Sequence, residues 1–71
     1  MPVGRFRIRN PTFALFREDA RYVAHTVATG AFITIKDNAT FDGDKLMAVM
    51  WDKREVMMFT QDLRDRTEPA A

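Results

Sequence analysis

The side chains that commonly perform nucleophilic or acid–base chemistry are scarce in this chain. The sequence contains no serine, no cysteine and a single histidine, His25. A threonine nucleophile would need a neighbouring base or a free amino terminus to activate it. His25 precedes Thr26 in an extended segment, where one histidine is more typical of a partly exposed strand residue than of a general base. We therefore predict no catalytic residues, and the chain is not expected to be an enzyme.

Acidic residues are concentrated in one turn-rich segment, where carboxylates could bind a cation. Asp37, Asp42 and Asp44, with the carbonyl of Asn38, carry the oxygen ligands that Ca²⁺ prefers. Their spacing lacks the Asp-x-Asp-x-Asp-Gly run with a distal glutamate, and acidic turns are common without a metal. The three glycines stand singly, so the sequence has no glycine-rich phosphate cradle. We predict neither a metal site nor a cofactor.

Arginine residues near the amino terminus could contact phosphate groups. Three of them lie within the first ten residues, while the remainder of the chain is mildly acidic. They alternate with Phe6 and Ile8, so a strand here would have one guanidinium face and one apolar face. Clustered arginines supply the electrostatic part of nucleic-acid affinity, but charge also protects an edge strand from aggregation. Nucleic-acid binding is the alternative function, and its candidate phosphate contacts are Arg5, Arg7, Arg9, Arg17 and Arg21.

Methionine and aromatic residues form the most unusual local composition, in the carboxyl-terminal half. Methionine adapts to irregular surfaces and is common at promiscuous binding sites, while tryptophan is enriched among interface anchors. A domain this small has too little material to cover both faces of a hairpin that carries them. We therefore expect part of this surface to contact another chain, first of all a second copy. The predicted partner interface consists of Met47, Met50, Trp51, Met57, Met58 and Phe59.

These residues belong to two apolar runs, 46–51 and 56–59, separated by the charged residues 52–55. Successive strand residues point to opposite faces, so the even-numbered residues of the first run share one face and the odd-numbered residues share the other. Both faces are apolar and need cover. The charged centre disfavours one continuous helix. The pattern predicts a β-hairpin that is covered on two sides, with Asp52-Lys53 as its two-residue loop.

Residues 12–27 have two competing interpretations, a helix or a hairpin. A helix would bring four apolar side chains between Phe13 and Val23 near one face. A hairpin would reverse at residues 18–20, and the enrichment of Phe, Tyr, Val and Thr on both sides of that charged turn favours it. Asn10-Pro11 marks the beginning of this unit, because the residue before a proline is pushed away from helical geometry.

The remaining segments have clearer local patterns. Residues 31–35 are β-branched and aromatic, which predicts a strand. Residues 36–45 contain Asn, Asp and Gly, which are typical of exposed tight turns. Thr60 is expected to cap a single helical turn. Residues 63–68 alternate enough to form a last strand.

Length and composition place the chain among small folded domains. With 71 residues, 46% hydrophobic and 30% charged, it is expected to fold as one domain rather than remain disordered. No apolar run reaches the roughly 18 residues of a membrane span, and the first residues lack a signal-peptide pattern. The absence of cysteine agrees with a cytoplasmic location. We expect residues 1–10 to form a basic arm or edge strand, 11–68 the domain and 69–71 a tail.

A resemblance follows from the order of three segments. They are Gly-Ala-Phe-Ile-Thr-Ile at 30–35, the hairpin at 49–59 and Gln-Asp-Leu-Arg-Asp-Arg at 61–66. This strand, gap and hairpin pattern, ending in a Met/Phe strand and an Asp-Leu-Arg turn, resembles small bacterial proteins of uncharacterised role that are similar to SH3-like barrels. The likeness covers residues 26–66, and it implies a fold but no activity.

Together these patterns predict an all-β fold, a small SH3-like barrel of about five short strands with one short helical turn before the last strand. Small barrels of this kind commonly serve as adaptor or nucleic-acid modules, an argument by analogy of fold. The function we predict is a non-catalytic protein-interaction module that self-associates, with another protein or a peptide as a further partner. A nucleic-acid-binding barrel that uses the arginine-rich amino-terminal segment is the alternative.

Overall fold

The computed structural model describes residues 3–70, and most of them belong to short antiparallel strands. The all-β prediction is confirmed, since the helix in this part of the chain has only six residues. The elements are β1 (Gly4–Ile8), β2 (Thr12–Glu18), β3 (Arg21–Val27), β4 (Phe32–Ile35), β5 (Phe41–Asp42), β6 (Leu46–Trp51), β7 (Arg54–Phe59), α1 (Thr60–Asp65) and β8 (Thr67–Pro69).

Residues 12–27 form a hairpin rather than a helix. β2 and β3 pair along their full length and end at the Glu18–Arg21 pair. The loop between them has two residues, Asp19 and Ala20, with φ values of 48° and 65°. Positive φ at both positions is typical of the type I′ turn, whose twist matches that of the flanking strands. The favoured hairpin interpretation is therefore confirmed.

The hairpin of β6 and β7 has the same kind of loop. Asp52 and Lys53 have φ values of 52° and 65°, which confirms the predicted two-residue turn. Two-sided cover was predicted for the whole hairpin and is present only in part, since Phe59 on the outer side of β7 is 40% exposed. Met47 and Val49 are buried on one face, and Ala48 is buried on the other.

The segment between β4 and β6 lies beside β6 in the plane of the sheet. The Ala48 N–H donates a hydrogen bond to the Thr40 carbonyl at 2.8 Å, and β5 pairs with the beginning of β6. Most residues of the segment are exposed, as its turn chemistry predicted. Ala48 is 4% exposed within this single chain, so its outer side is covered without a second copy.

The strands form one antiparallel sheet in the order β3-β2-β7-β6-β4-β1-β8, with β5 beside β6. About five strands were predicted, and eight are present within residues 3–70. Two of the additional strands are β1, from the predicted arm or edge strand, and β5, which interrupts the turn-rich segment. Within residues 3–70 no pairing joins β3 to β8, so each of these strands is an edge.

The amino-terminal segment is more closely integrated than the predicted arm or edge strand over residues 1–10. β1 lies between β4 and β8 and pairs with both. Phe6 and Ile8 are buried, because alternate residues of an interior strand face the core. Met1 and Pro2, the first residues of the predicted arm, lie outside the described residues.

The hydrophobic core occupies one face of the sheet, which we call the inner face; the opposite face is the outer face. Alternate residues of the main strands contribute to the core, as the period of two requires, and α1 adds one leucine. The core residues are Phe6, Ile8, Ala14, Phe16, Val27, Ile33, Ile35, Met47, Val49, Val56, Met58 and Leu63.

The helix begins at Thr60, but Thr60 is not its cap. Phe59 occupies the N-cap position and makes no side-chain capping hydrogen bond. The Thr60 hydroxyl instead donates towards the carbonyls of Asp44 and Lys45, each at 3.4 Å. Thr60 therefore ties the beginning of the helix to the turn before β6.

The last strand is shorter and later than the predicted strand over residues 63–68. The helix continues to residue 65, and β8 begins at Thr67. Pro69 pairs with β1, so the predicted tail at 69–71 begins inside the sheet. Ala71, the end of that predicted tail, lies outside the described residues.

Candidate functional site

Apolar side chains form a continuous group on the outer face, where β2, β7 and β6 lie side by side. Leu15 pairs with Met57 across β2 and β7, and Leu46 pairs with Phe59 across β6 and β7. Two positions beyond the Leu15–Met57 pair, antiparallel geometry brings Phe13 to the level of Phe59. We call these five residues, Phe13, Leu15, Leu46, Met57 and Phe59, the outer patch.

The two phenylalanines are the most exposed members of the outer patch. Phe13 is 53% exposed and Phe59 is 40% exposed, while the other three residues are half-buried. A contiguous exposed apolar group of this kind is typical of a surface that binds another protein. The predicted partner interface lacks Leu46, Phe13 and Leu15. The signal for Phe13 and Leu15 was the alternation along β2, which places them on the face opposite to the core residues Ala14 and Phe16.

The predicted methionine and tryptophan interface does not lie on one surface. Met47 and Met58 pair across the inner face and are 1% and 0% exposed, so they are core residues that no partner reaches. Trp51 also lies towards the inner side, where it packs edge-on against Phe16 with ring centres 5.8 Å apart. Strand alternation therefore divides the group. The members on the outer face are Met50, Met57 and Phe59.

Phe16 is surrounded by other ring and cationic groups at one end of the inner face. The His25 ring centre lies 4.3 Å from that of Phe16, and the Arg54 guanidinium lies 4.1 Å from it. His25 is an exposed strand residue, as predicted, and its ring packs against an aromatic side chain. The arrangement is typical of side-chain packing at the end of a core.

The arginines of β1 are held by side chains of the same chain. The Arg5 guanidinium lies 3.9 Å from the centre of the Phe32 ring. Arg7 forms an ion pair with Glu68 at 2.6 Å. Both arginines lie on the outer face, and both positive charges already have an intramolecular contact.

The other candidate phosphate contacts lie elsewhere. Arg9 follows β1 and donates a hydrogen bond to the Asp65 carbonyl at 2.6 Å. Arg17 and Arg21 belong to β2 and β3, which are separated from β1 in the sheet by β7, β6 and β4. The five predicted phosphate contacts therefore fall into two groups on different parts of the sheet.

A groove of about 370 Å³ lies between the β2–β3 hairpin and the segment that contains β5. The Tyr22 hydroxyl crosses it by donating a hydrogen bond to the Asp42 carboxylate at 2.6 Å. This hydrogen bond raises the pKa of Tyr22; desolvation and the charge of Asp42 act in the same direction, and Arg17 opposes them. No local pattern in the sequence signals this contact, because its partners lie on separate elements.

The acidic residues do not gather into a metal site in the part of the chain that the structure describes. Asp42, one of the residues considered for Ca²⁺, accepts the hydrogen bond from Tyr22. Asp62 accepts a hydrogen bond from the Thr12 hydroxyl at 2.7 Å and lies 3.5 Å from the Arg66 guanidinium. These carboxylates connect elements of the fold to one another.

Neither a membrane-spanning helix within residues 3–70 nor a similarity to known proteins assigns the chain to a class. Over residues 3–70 no helix has the length and apolar character needed to cross a membrane. No protein-family model matches the chain, and no curated protein or solved structure shows significant similarity to it.

Proposed function

We propose that this chain is a non-catalytic protein-interaction module that associates with itself. The observation that carries the proposal is that the outer patch extends to a free edge of the sheet. Thr26 and Ala24 of β3 lie opposite Phe13 and Leu15, so the exposed surface continues from the patch to the outermost strand. Exposed apolar surface beside unpaired strand groups is typical of sites where a second chain binds.

This proposal keeps the self-association that the sequence predicted but assigns it to a different surface. Met47 and Met58 belong to the core, and Trp51 packs against Phe16. Phe13 and Phe59, the most exposed residues of the outer patch, take their place. Another protein or a peptide is a further partner of the same surface.

We also propose that the framework is an SH3-like barrel, to which the β2–β3 hairpin is added. The strands β8, β1, β4, β6 and β7 are neighbours in that order in the sheet. The helix α1 directly precedes β8, the last strand along the chain. The N–H groups of Arg9 and Asn10 donate to the Arg66 carbonyl at 2.7 and 3.2 Å. These contacts support a curved sheet, because they bring the beginning of β2 next to β8. The cytoplasm is the compartment that we assign to this module.

The alternative function, nucleic-acid binding, has less support from the geometry. Arg5, Arg7 and Arg9 each have an intramolecular contact, and at least three strands lie between β1 and the strands of Arg17 and Arg21. If this alternative holds, a gel shift with random oligonucleotides at low salt shows binding that weakens steeply as salt is added. Simultaneous Arg→Ala changes at positions 5, 7 and 9 abolish it.

Sedimentation equilibrium over a range of protein concentrations tests the proposed function. We expect the mass to rise from the 8.2 kDa of one chain towards that of a dimer as the concentration increases. The association should persist at high salt, because apolar and backbone contacts carry it. A strict monomer at high micromolar concentration would contradict the proposal.

A further inference from the structure

The two free edges of the sheet differ in how well they are protected. β8 has three residues and ends in Pro69, which has no N–H to offer another strand. β3 has seven residues, and none of them is a proline, a lysine or an acidic residue. Edge strands are usually protected from pairing with another chain by being short, by containing a proline, or by carrying a charged side chain. Arg21 at the beginning of β3 is the one charged residue of that edge.

The hairpin geometry determines which backbone groups of β3 are free. In its two-residue turn the Arg21 N–H points to the Glu18 carbonyl, inside the hairpin. The direction of the backbone groups alternates along an antiparallel strand, so Tyr22, Ala24 and Thr26 direct their N–H and C=O groups away from β2. β3 pairs with β2 alone, and within residues 3–70 no backbone hydrogen bond from another element reaches these groups.

We propose that β3 of one copy pairs antiparallel with β3 of a second copy, with Ala24 on the two-fold axis. This inference rests on the proposed self-association and names the contact that produces it. Ala24 then lies opposite the partner's Ala24, and Tyr22 lies opposite the partner's Thr26. The three outward-facing positions of each copy form roughly six backbone hydrogen bonds across the axis.

The number of backbone hydrogen bonds selects this register. Moving the axis to Val23 or to His25 leaves fewer outward-facing residues opposite one another, so hydrogen bonds are lost. With the axis at Ala24, Arg21 lies opposite the partner's Val27, so the one charged residue of the edge faces an uncharged one.

A second copy is the occupant because such pairing ends with two chains. A two-fold interface uses the same surface of both copies, so both long free edges are consumed at once. The edges that remain in each copy are short: β5 has two residues, and β8 has three and ends in Pro69. Cross-strand neighbours are also compatible, since Val23 lies opposite the partner's His25 on one face and Tyr22 opposite the partner's Thr26 on the other.

The Ala24→Pro variant tests the pairing with little effect on the hairpin. The Ala24 N–H points away from β2, so proline removes hydrogen bonds at the axis but none within the hairpin. We expect the dimer dissociation constant to rise about tenfold or more. Ala24→Thr keeps the N–H and is the matched control, which should dimerise as the original chain does. Circular dichroism checks that both variants remain folded.

A charge exchange at the same position tests the register. Ala24→Lys and Ala24→Glu each set two like charges opposite one another at the axis, so each variant alone should dimerise more weakly than Ala24→Thr. An equal mixture of the two variants should recover dimers, because unlike charges then face each other. Recovery on mixing requires the two copies of residue 24 to be adjacent.

The outcomes separate this inference from the proposed function. Loss of the dimer in Ala24→Pro with recovery on charge exchange supports the β3 pairing. A dimer that withstands Ala24→Pro and does not respond to charge exchange overturns the pairing and leaves self-association standing; weakening by Phe13→Ser would then move the contact to the outer patch. A strict monomer at high micromolar concentration overturns both.

Discussion

Ala20, in the loop of the β2–β3 hairpin, has a backbone conformation that suits glycine better. Its φ is 65°, in the left-handed region. A residue with a Cβ loses about 1–2 kcal/mol there relative to its preferred conformations. Glycine avoids this strain but loses about 0.5–1 kcal/mol more conformational entropy on folding. The difference predicts that Ala20→Gly increases the free energy of unfolding by about 0.5–1 kcal/mol.

Thermal unfolding followed by far-ultraviolet circular dichroism measures this effect. In a domain of this length a change of about 1 kcal/mol moves the melting temperature by roughly 4–8 °C, so we expect a rise of about 2–8 °C. The protein is kept dilute and at one concentration, so that association does not contribute to the difference.

Gly43→Ala is the matched reverse control for this prediction. Gly43 has a φ of 70°, and a Cβ added there would meet no heavy atom within 4 Å. The change therefore tests backbone conformation alone and should lower the free energy of unfolding by about 0.5–1 kcal/mol. If Ala20→Gly melts at or below the original temperature while Gly43→Ala melts unchanged, positive φ does not control the stability of these turns and our reasoning is wrong.

Three further predictions concern the other hairpin, the core and the groove. Lys53→Gly should raise the melting temperature, with a gain of about 0.5–1 kcal/mol, because φ at Lys53 is also 65°; a clear loss would contradict the turn geometry. Met58→Ala should lower the free energy of unfolding, measured in urea, by about 2–5 kcal/mol, because the Met58 side chain is fully buried. Met57→Ala should lower it less, because Met57 is only half-buried on the outer face. Equal losses would contradict the assignment of the two residues to opposite faces. The single tyrosine, Tyr22, should titrate by ultraviolet absorbance with its pKa above the ordinary tyrosine value, and Asp42→Asn should move the midpoint down. The stability that the Tyr22–Asp42 hydrogen bond contributes is fully present below the ordinary tyrosine pKa and is lost as the pH rises through the raised pKa of Tyr22. A titration midpoint at the ordinary tyrosine pKa in the original chain would exclude this hydrogen bond.

Elements with a strong local pattern could be predicted from the sequence. The β6–β7 hairpin follows from two apolar runs around charged residues, and the β2–β3 hairpin follows from β-rich runs around residues 18–20. Both loops take positive φ at two non-glycine residues, where Asp is tolerated and the second residue is not a favoured type. The paired strands therefore determine these turns more than the propensity of Ala20 or Lys53 does.

The elements that were missed depend on contacts between distant parts of the chain. β1 was predicted as an arm or an edge strand; its interior position depends on pairing with both β4 and β8, which makes Phe6 and Ile8 core residues. The boundary between α1 and β8 is set partly by Arg66, whose N–H donates to the Asp62 carbonyl, and by burial of Leu63. An alternating pattern over residues 63–68 does not contain this information.

The candidate site was misplaced because composition does not say which neighbours a strand will have. The methionine-rich hairpin was expected to need a second chain, since both faces of β6 are apolar. Its own chain covers Met47 through the core, and Ala48 on the outer face is only 4% exposed. The cover that is missing lies one hairpin away, at Phe13 and along the edge of β3, where β2 meets β7 at the Leu15–Met57 pair.

The unprotected edge is best explained by its position in the fold. Every other long strand of the sheet has a neighbour on both sides, so β3 alone, among the described strands of seven residues, presents a full row of unpaired backbone groups. A lysine or a proline at Ala24 would have protected this edge without disturbing the core, because Ala24 is exposed and its N–H points outward. The residue there is instead a small, uncharged one that allows two backbones to approach. An edge used for pairing requires such a residue, whereas an edge that remains in solvent gains nothing from it.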